Sequence, residues 1–123
     1  MDANAFYAEL RQFTACDRLH PHRTNTLVYT EGVKYLSERA ACCWLVDIIA
    51  LLQARALRDA WLREFQLWEL HVKAGLGTLI CSRDAEDQAF RLEFKLTNFP
   101  LDYVRLYVRS GVLLLPNERL KRE

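Results

Sequence analysis

The chain has 123 residues, 51% of them hydrophobic and 27% charged, the balance of one ordinary globular domain that buries a core without a disulfide or metal staple. Seventeen basic residues against sixteen acidic ones leave a formal net charge of +1. Such near-neutrality excludes a protein that wraps DNA through a large excess of cations, and equally an overall acidic mimic of nucleic acid.

Asp2 is a natural N-cap, and Phe6, Leu10 and Phe13 recur at helical spacing behind it, so a short amphipathic helix opens the chain. Residues 14–25 are polar, contain Pro21 and read as loop. Leu27-Val28-Tyr29 reads as a brief extended segment. A helix is then expected near Thr30 or Glu31, capped by Thr30, with Val33, Leu36 and Ala40 starting its apolar stripe. From Ala40 to Leu52 nearly every position is apolar, so this stretch needs cover on almost all sides, from the fold or from a second subunit. At thirteen residues, and carrying Asp47, it is too short to span a membrane. Leu57, Trp61 and Phe65 follow at i, i+4 and i+8, with Arg55, Arg58 and Arg63 on other faces, the pattern of an amphipathic helix with one wet side.

Past Phe65 the period falls to two. Trp68, Leu70 and Val72 alternate with charged and polar residues up to a hairpin at Gly75 and Gly77, and Thr78–Cys81 follows. Asp84–Asp87 is a polar turn. Phe90, Leu92, Phe94 and Leu96 alternate up to Pro100, and Val104, Leu106 and Val108 alternate up to Ser110-Gly111, which turns the chain into 112–115. The expected fold is α+β: one domain over residues 1–123, with N-terminal helices (about 2–65) packed on a four- to five-stranded antiparallel meander sheet (about 66–116) and a short frayed basic tail (117–123). One sheet face packs on the 40–52 helix, and the other is solvated or binds a partner.

The chemistry-bearing residues are few. Cys16, His20 and His22 form the best metal cluster, with His71, Cys42, Cys43 and Cys81 as distant candidates. Zinc sites use two closely spaced ligand pairs, however, and no second pair exists here, so no metal or other cofactor is expected. Cys16 near His20 lacks the surroundings of a nucleophile elbow, so catalytic residues are not assigned. Asp47, an acid in an apolar helix, is either catalytic with a raised pKa or, the favoured reading, structural, pairing with one of the thirteen Arg or bonding backbone donors of a neighbouring loop. With no secretory signal in Met1–Phe6 and two adjacent cysteines in an apolar run, the thiols read as free and the compartment as cytoplasmic. Arg91, Lys95, Arg105 and Arg109 fall on the polar phase of two predicted strands with Tyr107 between them. If those strands pair, they make a basic and aromatic face suited to a protein hot spot or to single-stranded nucleic acid, partly neutralised by Glu69 and Glu93.

The order of landmarks resembles a small bacterial domain family of unknown function. They are Glu9-Leu10, Phe13-Thr14, 27–36 with its Tyr-Thr-Glu-Gly-Val-Lys segment, 44–50 with Trp-Leu-x-Asp, 65–68, Asn98-Phe99-Pro100-Leu101 and 112–116. The resemblance implies no activity and no catalytic residue, and it places such proteins on plasmids, prophages and other mobile elements. From that context the expected function is a non-enzymatic protein-binding module, a steric inhibitor of a host defence complex such as an anti-CRISPR protein. Its binding residues would be Arg91, Arg105, Tyr107 and Arg109, or Arg55, Arg58 and Arg63. The alternatives are a nucleic-acid-binding accessory protein using the same sheet face, and a metal-dependent enzyme built on Cys16, His20 and His22. A homodimer through Trp44 or Trp61 is a further expectation, and no membrane partner is expected.

Overall fold

The structure, a computed structural model, describes residues 2–16, 18–96 and 99–120. Asp2 caps α1 (Ala3–Leu10) by accepting from the Asn4 N–H. The helix stops at Arg11, so Phe13 lies beyond it and packs on Tyr35 instead. The segment read as loop holds two short strands, β1 (Ala15–Cys16) and β2 (Leu19–Pro21). Neither has apolar alternation to betray it. Pro21 is tolerated because β2 is the edge strand of its sheet, where a missing N–H costs little.

After β3 (Val28–Thr30) the Thr30 hydroxyl accepts from the Val33 N–H and starts α2 (Glu31–Arg39). Ala41 takes a positive φ of 52° and separates α2 from α3 (Cys43–Ala56). Only one side of α3 is covered: Leu45, Val46, Ile49 and Ala50 are buried, whereas Leu51 is 65% exposed. Cover on nearly all sides from the fold itself is therefore corrected; within the chain α3 packs on one layer. The amphipathic helix expected through Phe65 is also broken. Asp59 accepts from the N–H groups of Trp61 and Leu62, which starts a new helix, α4 (Ala60–Glu64), and Phe65 already belongs to a strand. This reorientation leaves Trp61, expected in a buried stripe, 76% exposed.

Six further strands follow: β4 (Phe65–Lys73), β5 (Leu76–Asp84), β6 (Asp87–Lys95), β7 (Tyr103–Arg109), β8 (Val112–Leu114) and β9 (Arg119–Leu120). The main sheet has seven strands in the order β2-β3-β8-β7-β4-β5-β6, more than the four to five expected, and β1 pairs β9 in a second, two-stranded sheet. It is not a simple meander. β7 returns to the other side of β4, and β3 joins β8 in parallel, so strands also interleave with the helices of the N-terminal half. Ala74-Gly75 and Ser110-Gly111 close two-residue hairpins with positive φ at both positions, the twist that tight antiparallel turns require. Of the expected frayed tail, Arg119 and Leu120 are strand, and Lys121–Glu123 lie outside the described residues, as does the Asn98 landmark.

The helices cover one sheet face. Trp68, Leu70, Leu79, Cys81, Leu106 and Val108 join Leu36, Leu45 and Ile49 in one buried cluster. Two glutamines are buried inside it. Gln53 of α3 and Gln66 of β4 exchange two amide hydrogen bonds of 2.8 Å, and Gln66 Oε1 also accepts from the Trp68 indole at 2.8 Å. The two amides also donate to the helix carbonyls of Ile49 and Leu62, which leaves the network with its donors used.

Candidate functional site

The register decides which side chains share the other face of the sheet. Arg105 lies opposite Glu69, Glu69 opposite Ile80, and Ile80 opposite Arg91, so these four form one row across β7, β4, β5 and β6. Arg91 and Arg105 thus share a face as the sequence phase implied, but their strands do not pair: two strands stand between them, a separation of about 14 Å. Arg91 binds Glu93 at 3.4 Å, and Arg105 reaches Glu69 at 3.5 Å. The basic character expected of this face is therefore offset by carboxylates from the same phase.

What β4 and β7 concentrate is aromatic. Phe65 and Tyr107 rings lie 5.2 Å apart, His71 and Tyr103 5.0 Å apart, and the guanidiniums of Arg109 and Arg105 stand over Phe65 and Tyr103. The Tyr103 hydroxyl donates to Glu69 and accepts from Arg105 Nε at 2.9 Å. Burial, and then the Glu69 carboxylate, push that hydroxyl above its ordinary value, so it stays a donor at neutral pH. Arg105 and Arg109 are exposed, while Phe65, Tyr103 and Tyr107 are half-buried. The side chains are thus fixed by their neighbours on regular strands.

The helix-borne arginines are elsewhere. Arg55 stacks on Phe90, a residue of the helix-covered face, at 4.9 Å. Arg58 borders a shallow depression with Asp59 and Arg83. Arg63 Nε donates to the Leu57 carbonyl at 2.8 Å and so holds the α3–α4 corner together. These three and the sheet set do not form one surface. Trp44, a candidate for a two-fold interface, is half-buried edge-on against Phe94 and Phe99.

The metal and nucleophile candidates are drawn into structural pairs. His20 binds Glu31, and Cys16 is buried with its thiol donating to the Arg18 carbonyl at 2.8 Å. No group of three or more His, Cys, Asp or Glu converges among the described residues. Burial pushes the Cys42 and Cys81 thiols up to about 12, far from the thiolate that nucleophilic chemistry needs. Cys43 is the exposed thiol.

Asp47 does find an arginine, Arg23, at 3.4 Å, but its closer partner is His22 Nε2 at 2.7 Å. His22 Nδ1 in turn meets the Thr24 hydroxyl at 2.8 Å, and this hydroxyl–imidazole–carboxylate order is that of a hydrolase triad. Here it works as a tie: Thr24 continues to Thr26, whose hydroxyl donates to the Ala50 carbonyl, fastening the 22–26 turn to α3. The His22 hydrogen bond, ahead of Arg23, holds the Asp47 carboxyl below its usual range. A carboxyl whose folded value lies below the unfolded one stabilises the fold above about pH 4 and loses that contribution as pH falls through the folded value. Asp47→Asn therefore lowers the melting temperature at pH 7 and narrows the difference between melting at pH 7 and at pH 3. An unchanged difference would place the acid sensitivity elsewhere.

A family model covers residues 4–119. The chain belongs to the DUF6876 family, a family of unknown function. No curated protein and no solved structure matches it. Membership in the family accords with the landmark resemblance, and the matched span takes in both the helical layer and the whole seven-stranded sheet. None of the described helices is long and apolar enough to cross a membrane.

Proposed function

We propose that the chain is a non-enzymatic protein-binding module that docks through the outer face of β4 and β7. The observation that carries this reading is the array of Phe65, Tyr103, Tyr107, Arg105 and Arg109, partly exposed and already ordered by ring stacking and the Tyr103–Glu69 hydrogen bond. Tyr and Arg dominate protein hot spots, and side chains ordered before binding lose less entropy on docking. Glu69 and Glu93 beside the arginines favour a partner of mixed charge over a polyphosphate. The finer form of the proposal follows from the landmark resemblance: a mobile-element protein of the cytoplasm that blocks a host defence complex, such as a CRISPR–Cas effector, by occupying its surface.

The test is affinity capture from the natural host's lysate, with and without nuclease, over a salt series. A stoichiometric protein partner that resists nuclease and moderate salt is the expected result. Nucleic acid that co-purifies only without nuclease, with affinity falling steeply with salt, would replace the proposal with a nucleic-acid accessory role. Self-association alone would turn it toward a homodimer.

A further inference from the structure

β8 pairs with β7 only over Tyr107–Arg109, so the first residues of β7 run on past the end of their neighbour. The Tyr7 hydroxyl of α1 fills part of that gap, with its one proton facing both the Tyr103 carbonyl and the Asp102 carboxylate at 2.9 Å, and it accepts from the Tyr103 N–H at 3.3 Å. What remains is a cavity of about 220 Å³ between α1, the start of β7 and the turn after β8. Its walls are apolar: Leu10, Leu36, Leu101, Val104 and Leu115. Its polar border carries Arg11, Arg105 and Asn117, and no Asp or Glu lines it. Three carboxylates stand behind that lining: Asp102 is 2.9 Å from the Tyr7 hydroxyl, Glu69 holds Tyr103 and Arg105, and Glu118 accepts from the Leu115 N–H.

The geometry points to a binding site for a small monocarboxylate with an apolar or aromatic body. The volume is below the roughly 300–1,000 Å³ of sites for drug-sized ligands, which limits the body to one ring or a short chain. Apolar walls hold that body, and the Arg11 guanidinium at the border selects an anionic head. Arg105 is shared with Glu69 and Tyr103. Arg11 has no ion-pair partner among the described residues, and it supplies the main contact. The site goes beyond the protein-docking proposal: it takes a small molecule and stands or falls without any protein partner.

Titration of the full chain with 3-phenylpropionate, followed by amide and side-chain NMR, tests it, with 3-phenylpropanamide as the neutral isostere. Saturable shifts centred on Tyr7, Leu10, Val104 and Leu115 are expected, with the amide at least about tenfold weaker. Arg11→Glu, a change at the exposed end of α1, is expected to weaken the acid by about tenfold or more while the spectrum stays folded. Leu10→Trp, which fills the cavity, abolishes the shifts. Equal binding of acid and amide, an unaffected Arg11→Glu variant, or shifts mapping away from the cavity would each overturn the assignment.

Discussion

Gln66→Leu is expected to destabilise the protein by about 3 kcal/mol, read as a fall in the urea midpoint at unchanged slope. The size follows from what the substitution leaves behind. Gln66 is fully buried, and its amide serves Gln53 in both directions as well as the Trp68 indole. Leucine fits the volume but strands the indole N–H and the Gln53 carbonyl oxygen in an apolar layer, and each orphaned group costs about 1–3 kcal/mol. Gln53 Nε2 keeps its bond to the Ile49 carbonyl, which caps the loss. Replacing both glutamines by leucine should cost clearly less than the sum of the single changes, since the second substitution removes a group the first had orphaned. Strict additivity would show that the two amides are not coupled.

Gly32→Ala is expected to cost about 2 kcal/mol although alanine is the better helix former by about 1 kcal/mol. A Cβ at Gly32 would stand 2.7 Å from the carboxyl atoms of Glu118. That carboxylate is buried at the start of α2 and is held by the Thr30 hydroxyl, the Gly32 N–H at 3.1 Å and the Leu115 N–H at 2.8 Å. It closes the N-terminus of the helix with negative charge and ties the C-terminal segment to it. Alanine pushes it off those donors. In a Glu118→Ala background the obstacle is gone, and the same Gly32→Ala change should become stabilising by about 0.5–1 kcal/mol. The reversal of sign, measured by thermal or urea unfolding, is the diagnostic outcome. A loss of equal size in both backgrounds would mean that Gly32 is constrained by something other than Glu118.

These two clusters also mark where the sequence stops being readable. Local rules were enough for Asp2 and Thr30 as caps, for Gly75 and Gly111 at the hairpins and for the alternation along β4, β6 and β7, because each is set by residues within a few positions, whereas Gly77, read with Gly75 as turn, lies in β5 opposite Val72. The Tyr-Thr-Glu-Gly segment shows Thr30 as a cap, but its glycine makes sense only once Glu118, eighty-six positions later, is brought beside it. Strands β1, β2 and β9 are two or three residues long, so no period exists to detect; β1 and β9 form only because they meet across the length of the chain, and β2 by pairing with β3. The spacing of Leu57, Trp61 and Phe65 favoured one continuous helix; the hydrogen bonds of Asp59, joined by its ion pair with Arg83, decide otherwise.

The candidate site divides in the same way. That Arg91, Arg105, Tyr107 and Arg109 share a sheet face follows from a period of two. Which strands neighbour each other does not, and the order of the sheet separates Arg91 from the others and sets Glu69 directly against Arg105. Tyr103, Phe65 and His71, which complete the aromatic array, belonged to the same phase and could have been collected from it. His22 as the partner of Asp47 carried no sequence signal, because the two meet only through the turn before β3.

The most direct test of docking through β4 and β7 is a paired capture experiment. Arg105→Glu with Arg109→Glu reverses the charge of the outer face, and Arg55→Glu with Arg58→Glu does so on the helix side, each variant first confirmed as folded by circular dichroism. A protein partner retained by the wild type and the helix-side variant but lost by the outer-face variant is the predicted result. Retention by the outer-face variant, together with loss by the helix-side one, would contradict the assignment and move the interface to the α3–α4 corner.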